Sequence, residues 1–244
     1  MNLIIDIGNT GIKLAIFDIN NNLIHFQRTN QDNVIEKLKN IVQKFSVTDA
    51  IISQVGYPVT GLDEYLSKHQ IDYRYLSAKL KLPFKIRYKS PESIGADRLG
   101  LVAGAIYKKP QGHKLIIDAG TCVTYDFIDK DNNYYGGAIS PGLQLRFKSL
   151  HDYTANLPLL QPDEKHTPLI GNDTESSIQS GVINGLVGEI EGFIVKYNLN
   201  FPDLTVYLTG GHKKFLDRYI KNKIFVSSKF LLVEGLNFIL NLNK

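Results

Sequence analysis

A six-residue pattern occurs twice in this chain, and the repeat limits what the chain can fold into. Leu3-Ile4-Ile5-Asp6-Ile7-Gly8 is echoed by Leu115-Ile116-Ile117-Asp118-Ala119-Gly120. After a one-residue slip the echo continues. Ile16-Phe17-Asp18 matches Phe127-Ile128-Asp129, and Asn21-Asn22 matches Asn132-Asn133. Each copy reads as an apolar strand ending in Asp, a turn containing Gly and Thr, a second strand, an Asn-rich turn and a third strand. A supersecondary unit repeated in the same order implies two related α/β lobes. Lys109-Pro110-Gln111-Gly112 punctuates the chain between them. The expected division is residues 1–112 and 113–244.

The intervening segments carry their own periodicities. Val34, Ile35, Leu38, Ile41 and Val42 recur at helical spacing and predict a helix over 32–45. Ala50 to Ser53 reads as a short buried strand, and Gly95 precedes a helix expected from Ala96 to Tyr107. The run Gly136-Gly137-Ala138-Ile139-Ser140-Pro141-Gly142 reads as a strand end and loop. Ile178, Val182, Leu186, Ile190, Phe193 and Ile194 line one side of a helix over 174–197. A strand at 204–208 ends in Thr209-Gly210-Gly211. A strand at 230–233 and a helix at 235–242 are expected to follow.

Composition excludes several classes of function. The 244 residues are 43% hydrophobic and 21% charged, enough to bury one large core or two small ones. The formal charge is +4, but Lys and Arg are scattered. The densest places are Lys108-Lys109 and the group Lys213, Lys214, Arg218, Lys221 and Lys223, read as solvated faces. A nucleic-acid binder concentrates its charge in a stripe, so no nucleic-acid partner is expected. The single cysteine, Cys122, cannot form an internal disulfide and reads as a small packed residue rather than a nucleophile. No apolar run approaches the ~20 residues needed to span a bilayer, and no signal-peptide pattern precedes the first strand. A cytoplasmic protein is expected.

The turn Asp6-Ile7-Gly8-Asn9-Thr10 between two strands exposes successive backbone N–H groups, which form a concavity for anionic oxygens. Gly8 and Gly11 permit close approach, Asn9 and Thr10 add donors, and Lys13 can place a cation on a β- or γ-phosphate. Asp6 is a candidate to hold Mg²⁺, directly or through water. A plain hairpin with Gly-Asn turn chemistry explains the same residues locally. The second turn, Asp118-Ala119-Gly120-Thr121, tips the balance, because two opposed turns can clasp a polyphosphate between lobes. Asp97 and Arg98 fall in the first turn of their helix. An Asp there suits the helix dipole without any function. With its neighbouring Arg it also suits a polar substrate, Asp97 taking a proton from an attacking hydroxyl and Arg98 binding a carboxylate or developing charge. Asp173 or Thr174 can simply cap the long helix. These features describe an ATP-dependent kinase of a small molecule.

The set resembles the type III pantothenate kinases, within the acetate and sugar kinase, heat-shock ATPase and actin superfamily. The resemblance rests on Asp6 to Lys13, Tyr88 with Pro91, Gly95-Ala96-Asp97-Arg98, Asp118 to Thr121, Gly136 to Gly142, Thr154-Ala155-Asn156-Leu157-Pro158, Thr174 after Gly171, and Leu208 to Gly211. It implies two duplicated ribonuclease-H-like (actin-like ATPase) lobes, with mixed sheets flanked by helices. It implies that Asp6, Ile7, Gly8, Asn9, Thr10, Gly11, Ile12, Lys13 and Thr121 bind ATP. Tyr88, Gly95, Ala96, Asp97, Arg98 and Thr174 would bind pantothenate, with Asp97 as the catalytic base. Asp118 would hold a monovalent cation, K⁺ or NH₄⁺, and Asp6 is the candidate for Mg²⁺. A cytoplasmic homodimer opening the coenzyme A pathway is also implied. Two alternatives stay open: a kinase for another small hydroxyl substrate, and a non-enzymatic transcriptional accessory protein.

Overall fold

The computed structural model describes residues 1–163, 167–220 and 225–244. Lys221 and Lys223 of the basic group lie outside the described residues. The chain divides into two compact units. The first comprises Met1–Gln111, Asn132–Tyr134 and Phe230–Lys244, and the second Gly112–Asp131 and Tyr135–Lys229.

In the first unit, β1 (Asn2–Ile7), β2 (Ile12–Phe17) and β3 (Leu23–Thr29) form an antiparallel meander. Two parallel strands extend it on the other side, β4 (Asp49–Gln54) beside β1 and β5 (Asp72–Tyr75) beside β4. The order is β3-β2-β1-β4-β5. Every residue of β1 is buried, which requires cover on both faces. On one face Leu3, Ile5 and Ile7 pack with Val34, Leu38 and Ile41 of helix α1 (Val34–Lys44) and with Leu62, Tyr65 and Leu66 of α2 (Leu62–Lys68). From the other face Asn2 donates to Asn237 Oδ1 at 2.7 Å. Asn237 belongs to the last helix.

That helix corrects the expectation of a strand at 230–233. The segment is helical throughout Leu231–Leu242, and the parallel strand comes earlier, at Phe225–Ser227. A short apolar run such as Leu231-Leu232-Val233 does not distinguish strand from helix by its period. Here it packs on helix α3 (Ala96–Lys108) of the first unit. The crossing is made by glycines. A Cβ on Gly104 would lie 2.1 Å from Leu231 O, and one on Gly235 would lie 1.9 Å from Gly100 O.

The second unit repeats the first. After β6 (Lys85–Ile86), which pairs with Asn133 and Tyr134, come β7 (Lys114–Ala119), β8 (Cys122–Ile128), β9 (Asn133–Pro141), β10 (Thr205–Thr209) and β11 (Phe225–Ser227). Their order β9-β8-β7-β10-β11 reproduces β3-β2-β1-β4-β5. β10 runs parallel to β7, as β4 does to β1. The expected strand end and loop at 136–142 is strand as far as Pro141, followed by helix α4 (Leu143–Asp152). Gly137 lies inside that strand because a Cβ there would meet Tyr125 O at 1.8 Å. The long helix α5 (Thr174–Asn200) lays Ile178, Val182, Leu186 and Ile190 on the sheet. It starts at a capping box, with Asp173 Oδ1 accepting from Ser176 N at 2.7 Å. A short helix, α6 (Lys213–Tyr219), follows β10. Among the described residues no helix is long and apolar enough to cross a membrane.

Candidate active site

The first unit gathers three stretches at the carboxyl end of β1. The turn after β1 closes with Gly8 N donating to Gly11 O at 3.1 Å. β4 runs on past its last ladder pair, and Val55 N and Gly56 N both donate to Ile7 O, at 3.0 and 2.9 Å. Gly56 has to be glycine, since a Cβ there would stand 2.5 Å from Gly8 O. Gly95, which opens α3, lies against Val55; a Cβ on it would be 3.6 Å from Val55 Cγ1 and 2.6 Å from Asp97 Oδ1. Val55 and Gly56 therefore tie the Gly8–Gly11 turn to the start of α3.

The charged groups of this unit are held tightly. Asp6 is buried at the end of β1, and its carboxylate accepts from Lys13 Nζ at 2.7 Å and from Ser53 Oγ at 2.9 Å. Asn9 and Thr10 are exposed at the tip of the turn, while Ile7 and Ile12 are buried as its last ladder pair. Asp97 Oδ1 accepts from Arg98 N at 2.8 Å, in the first turn of α3. An acidic side chain in the first turn suits the helix dipole. Arg98 is 6% exposed, whereas Ala96 is buried and Tyr88 half-buried.

In the second unit the turn after β7 is one residue shorter, which accounts for the slip in the repeat. Asp6 stands opposite Lys13, seven positions on; Asp118 stands opposite Thr124, six positions on. Gly210 has φ +99°, and a Cβ on it would lie 2.5 Å from both Ala119 O and Asp118 Oδ1. Gly142 N donates to Thr121 O at 3.0 Å. The Thr209-Gly210 and Pro141-Gly142 loops thus both close on the Asp118 to Thr121 turn. Cys122 is exposed rather than packed, because it precedes the first paired residue of β8.

Thr174 is exposed, one residue inside the capped end of α5. It lines an open cavity of about 830 Å³ with Arg146, Ser149, Leu157 and Gly171. Arg146 is anchored beside that cavity by an ion pair with Glu189. Glu189 also accepts from Tyr125 Oη at 2.8 Å and Ser140 Oγ at 2.5 Å. Burial opposes its ionisation, but the hydrogen bonds from Ser140, Arg146 and Tyr125 outweigh burial and hold the carboxyl below its ordinary pKa. Burial and the bond to Glu189 push the Tyr125 phenol far up.

The sequence reading gives no site role to Val55 or Gly56, and takes Ser53 only as the end of a buried strand. Their signal was a glycine just beyond a buried strand, the pattern already noted at Gly8 and Gly120.

Five strands in one mixed order made twice, the second sheet with β6 added at its edge, and an Asp-bearing turn at the end of the first strand of each, define a fold of the actin-like class. Crystal structures of that class share it. One is a Campylobacter jejuni protein assigned to the Baf family of transcriptional activators, with TM-score 0.62, 22% identity, and coverage of 98% of this chain and 97% of that one. Another, from Sinorhizobium meliloti, is assigned as a 2-dehydro-3-deoxygalactonokinase, with TM-score 0.64, 14% identity, and coverage of 98% of both chains. Sequence is more specific than fold. The pattern of type III pantothenate kinases matches residues 2–196. The type III pantothenate kinase of Christiangramia forsetii is 48% identical over 246 residues, which cover 100% of this chain and 99% of that protein. The chain belongs to the type III pantothenate kinase family.

Proposed function

We propose that this protein transfers the γ-phosphoryl group of ATP to the primary hydroxyl of pantothenate, giving 4'-phosphopantothenate, the first step of coenzyme A synthesis. The observation that carries the reading is the junction at Val55 and Gly56, which sets the start of α3 beside the Asp6 to Lys13 turn. Phosphoryl transfer asks the protein mainly for positioning and charge stabilisation.

Residues Asp6, Ile7, Gly8, Asn9, Thr10, Gly11, Ile12 and Lys13 cradle the ATP phosphates, with Lys13 releasing Asp6 to meet them. Pantothenate is a monocarboxylate, and the Arg98 guanidinium is suited to its carboxylate. Tyr88, Gly95, Ala96 and Thr174 complete the substrate contacts. Asp97 accepts the proton of the attacking hydroxyl as that oxygen bonds to the γ-phosphorus. The bridging oxygen leaves with ADP. Bound Mg²⁺ offsets charge on the β- and γ-phosphates. Among the described residues no group of three or more His, Cys, Asp or Glu side chains converges on one metal position. A single carboxylate, Asp6, completed by water and phosphate oxygens, fits Mg²⁺, which typically keeps waters and uses one or two carboxylates. Thr121 contacts the nucleotide, and Asp118 takes the monovalent cation, K⁺ or NH₄⁺.

The protein acts as a cytoplasmic homodimer in this reading. Gly181, Gly185, Gly188 and Gly192 share one face of α5, and a Cβ on any of them meets nothing within 4 Å. Val195 and Leu199 continue that face as exposed apolar residues. A second copy would cover it. Measuring ADP release with ATP and pantothenate, with and without K⁺, tests the function. ADP release that is indifferent to pantothenate would refute it.

A further inference from the structure

The two oxygens of Asp6 have different partners, one from each neighbouring strand. Ser53 Oγ donates to Oδ1 at 2.9 Å from β4, where Ser53 stands opposite Asp6 in the parallel register. Lys13 Nζ donates to Oδ2 at 2.7 Å from β2, opposite Asp6 in the antiparallel register. Ser53 is 0% exposed, and the Asp6 side chain is 2% exposed. A serine hydroxyl has one proton to donate. Ser53 gives it to Oδ1, so the carboxylate cannot turn without leaving a buried hydroxyl unpaired. Oδ2 is then the oxygen offered to cations, and the Lys13 ammonium already sits on it.

A divalent cation bound to Oδ2, directly at about 2.0–2.1 Å or through one water, would share that oxygen with an ammonium 2.7 Å away. Two like charges on one carboxylate oxygen repel, so each weakens the other's hold there. We propose that Lys13 is a placeholder which holds Asp6 Oδ2 in the free enzyme. It yields that oxygen to the divalent cation only when nucleotide phosphates draw the ammonium away. Ser53 is the positioning residue that keeps Oδ2 turned toward the shared position. This rests on the reading of Asp6 to Lys13 as the phosphate and metal turn. The duplicated unit supplies an internal contrast. There the register sets Thr124, not a lysine, opposite Asp118, and Thr209 where the first unit has Ser53. In the strand register a lysine stands opposite the turn aspartate at Asp6 and a threonine at Asp118, and metal loading at Asp6 is coupled to nucleotide.

The test is Mn²⁺ binding to the full chain without nucleotide, followed by loss of the free-ion electron paramagnetic resonance signal. A charge-assisted hydrogen bond is worth about tenfold to a hundredfold in a binding constant. Lys13 is a third exposed, so the lower end applies. Lys13→Met is expected to bind Mn²⁺ about tenfold more tightly than the wild type. Asp6→Asn added to Lys13→Met abolishes the gain. In the Lys13→Met background Ser53→Ala shrinks the gain and Ser53→Thr retains it. Adding ADP tightens Mn²⁺ binding in the wild type far more than in Lys13→Met. Equal Mn²⁺ affinity of nucleotide-free wild type and Lys13→Met overturns the proposal. Pantothenate-dependent ADP release is measured alongside. Turnover by the wild type with no gain in Lys13→Met sinks the placeholder and spares the kinase. A gain in Lys13→Met without wild-type turnover does the reverse.

Discussion

Replacing Gly235 by alanine tests how the last helix is held against α3, and through α3 the placement of Asp97. The added Cβ would stand 1.9 Å from Gly100 O, 2.5 Å from Gly104 N and 2.9 Å from Gly104 Cα. All three are backbone atoms, so no side chain can turn aside to make room. The helices must separate by about 1 Å, and overpacking of this kind typically costs about 1–3 kcal/mol, here at the upper end. Alanine is a better helix former than glycine by about 1 kcal/mol, which offsets part of the cost. The net expectation is destabilisation by about 2 kcal/mol. For a chain of this size that lowers Tm by about 4–8 °C. Thermal and urea unfolding measure it. Activity adds a second readout, because Asp97 sits in the first turn of the displaced helix. kcat should fall at temperatures where the variant is still fully folded, with the KM for ATP nearly unchanged. A Tm within a degree or so of the wild type would show that the crossing of α3 and the last helix has slack the distances deny. A lowered Tm with normal kcat would refute the link from the last helix to Asp97.

Three further outcomes follow from the same structure. Asp97→Asn should cut kcat by about a hundredfold or more while ATP binding is retained, and near-normal turnover would remove Asp97 as the base. Glu189 has a depressed pKa in the folded chain, so its contribution is fully present above its ordinary value of 4.5 and is lost as pH falls through the lower folded value. Glu189→Gln should therefore be less stable than wild type at neutral pH, with the gap narrowing in acid; a constant gap in urea midpoints between pH 7 and pH 3 would contradict this. Gly185→Ala should weaken self-association in sedimentation if a second copy packs on that face of α5, whereas on a solvated face it would only raise helix stability, by about 1 kcal/mol.

Much of the fold was legible because the chain repeats itself. Strands β1 to β4 and β7, β8 and β10 were visible as apolar runs punctuated by Asp, Gly and Asn. The helices at 34–44, 96–108 and 174–200 followed from spacing and caps. Other elements carry too little local signal. β6 is two residues long, and only Leu143 and Phe147 of α4 are buried, so its period is faint. The apolar run at 231–233 was ambiguous because its partner, α3, lies far away in sequence. The candidate site divides in the same way. The turn at Asp6, the start of α3 and the turn at Asp118 announce themselves by residue type. Ser53 matters only through register, since nothing local to β4 reveals that it stands against Asp6, and Gly56 shows locally only as a glycine after a buried strand, with no sign that it meets Gly8.

The return of the last helix to the first unit bears on how the chain is made. A ribosome delivers α3 roughly 120 residues before Leu231. Until then the glycine-notched face of α3 has no partner, and the first unit lacks one wall of its core. The second unit, apart from Asn132–Tyr134, is a single stretch from Gly112 to Lys229 and can close while the first still waits. Synthesis order and folding order are then opposed: the segment made first is finished last. A chain stopped before residue 230 would expose that face to solvent and to chaperones, and a peptide carrying Phe230–Lys244, supplied in trans, should restore it.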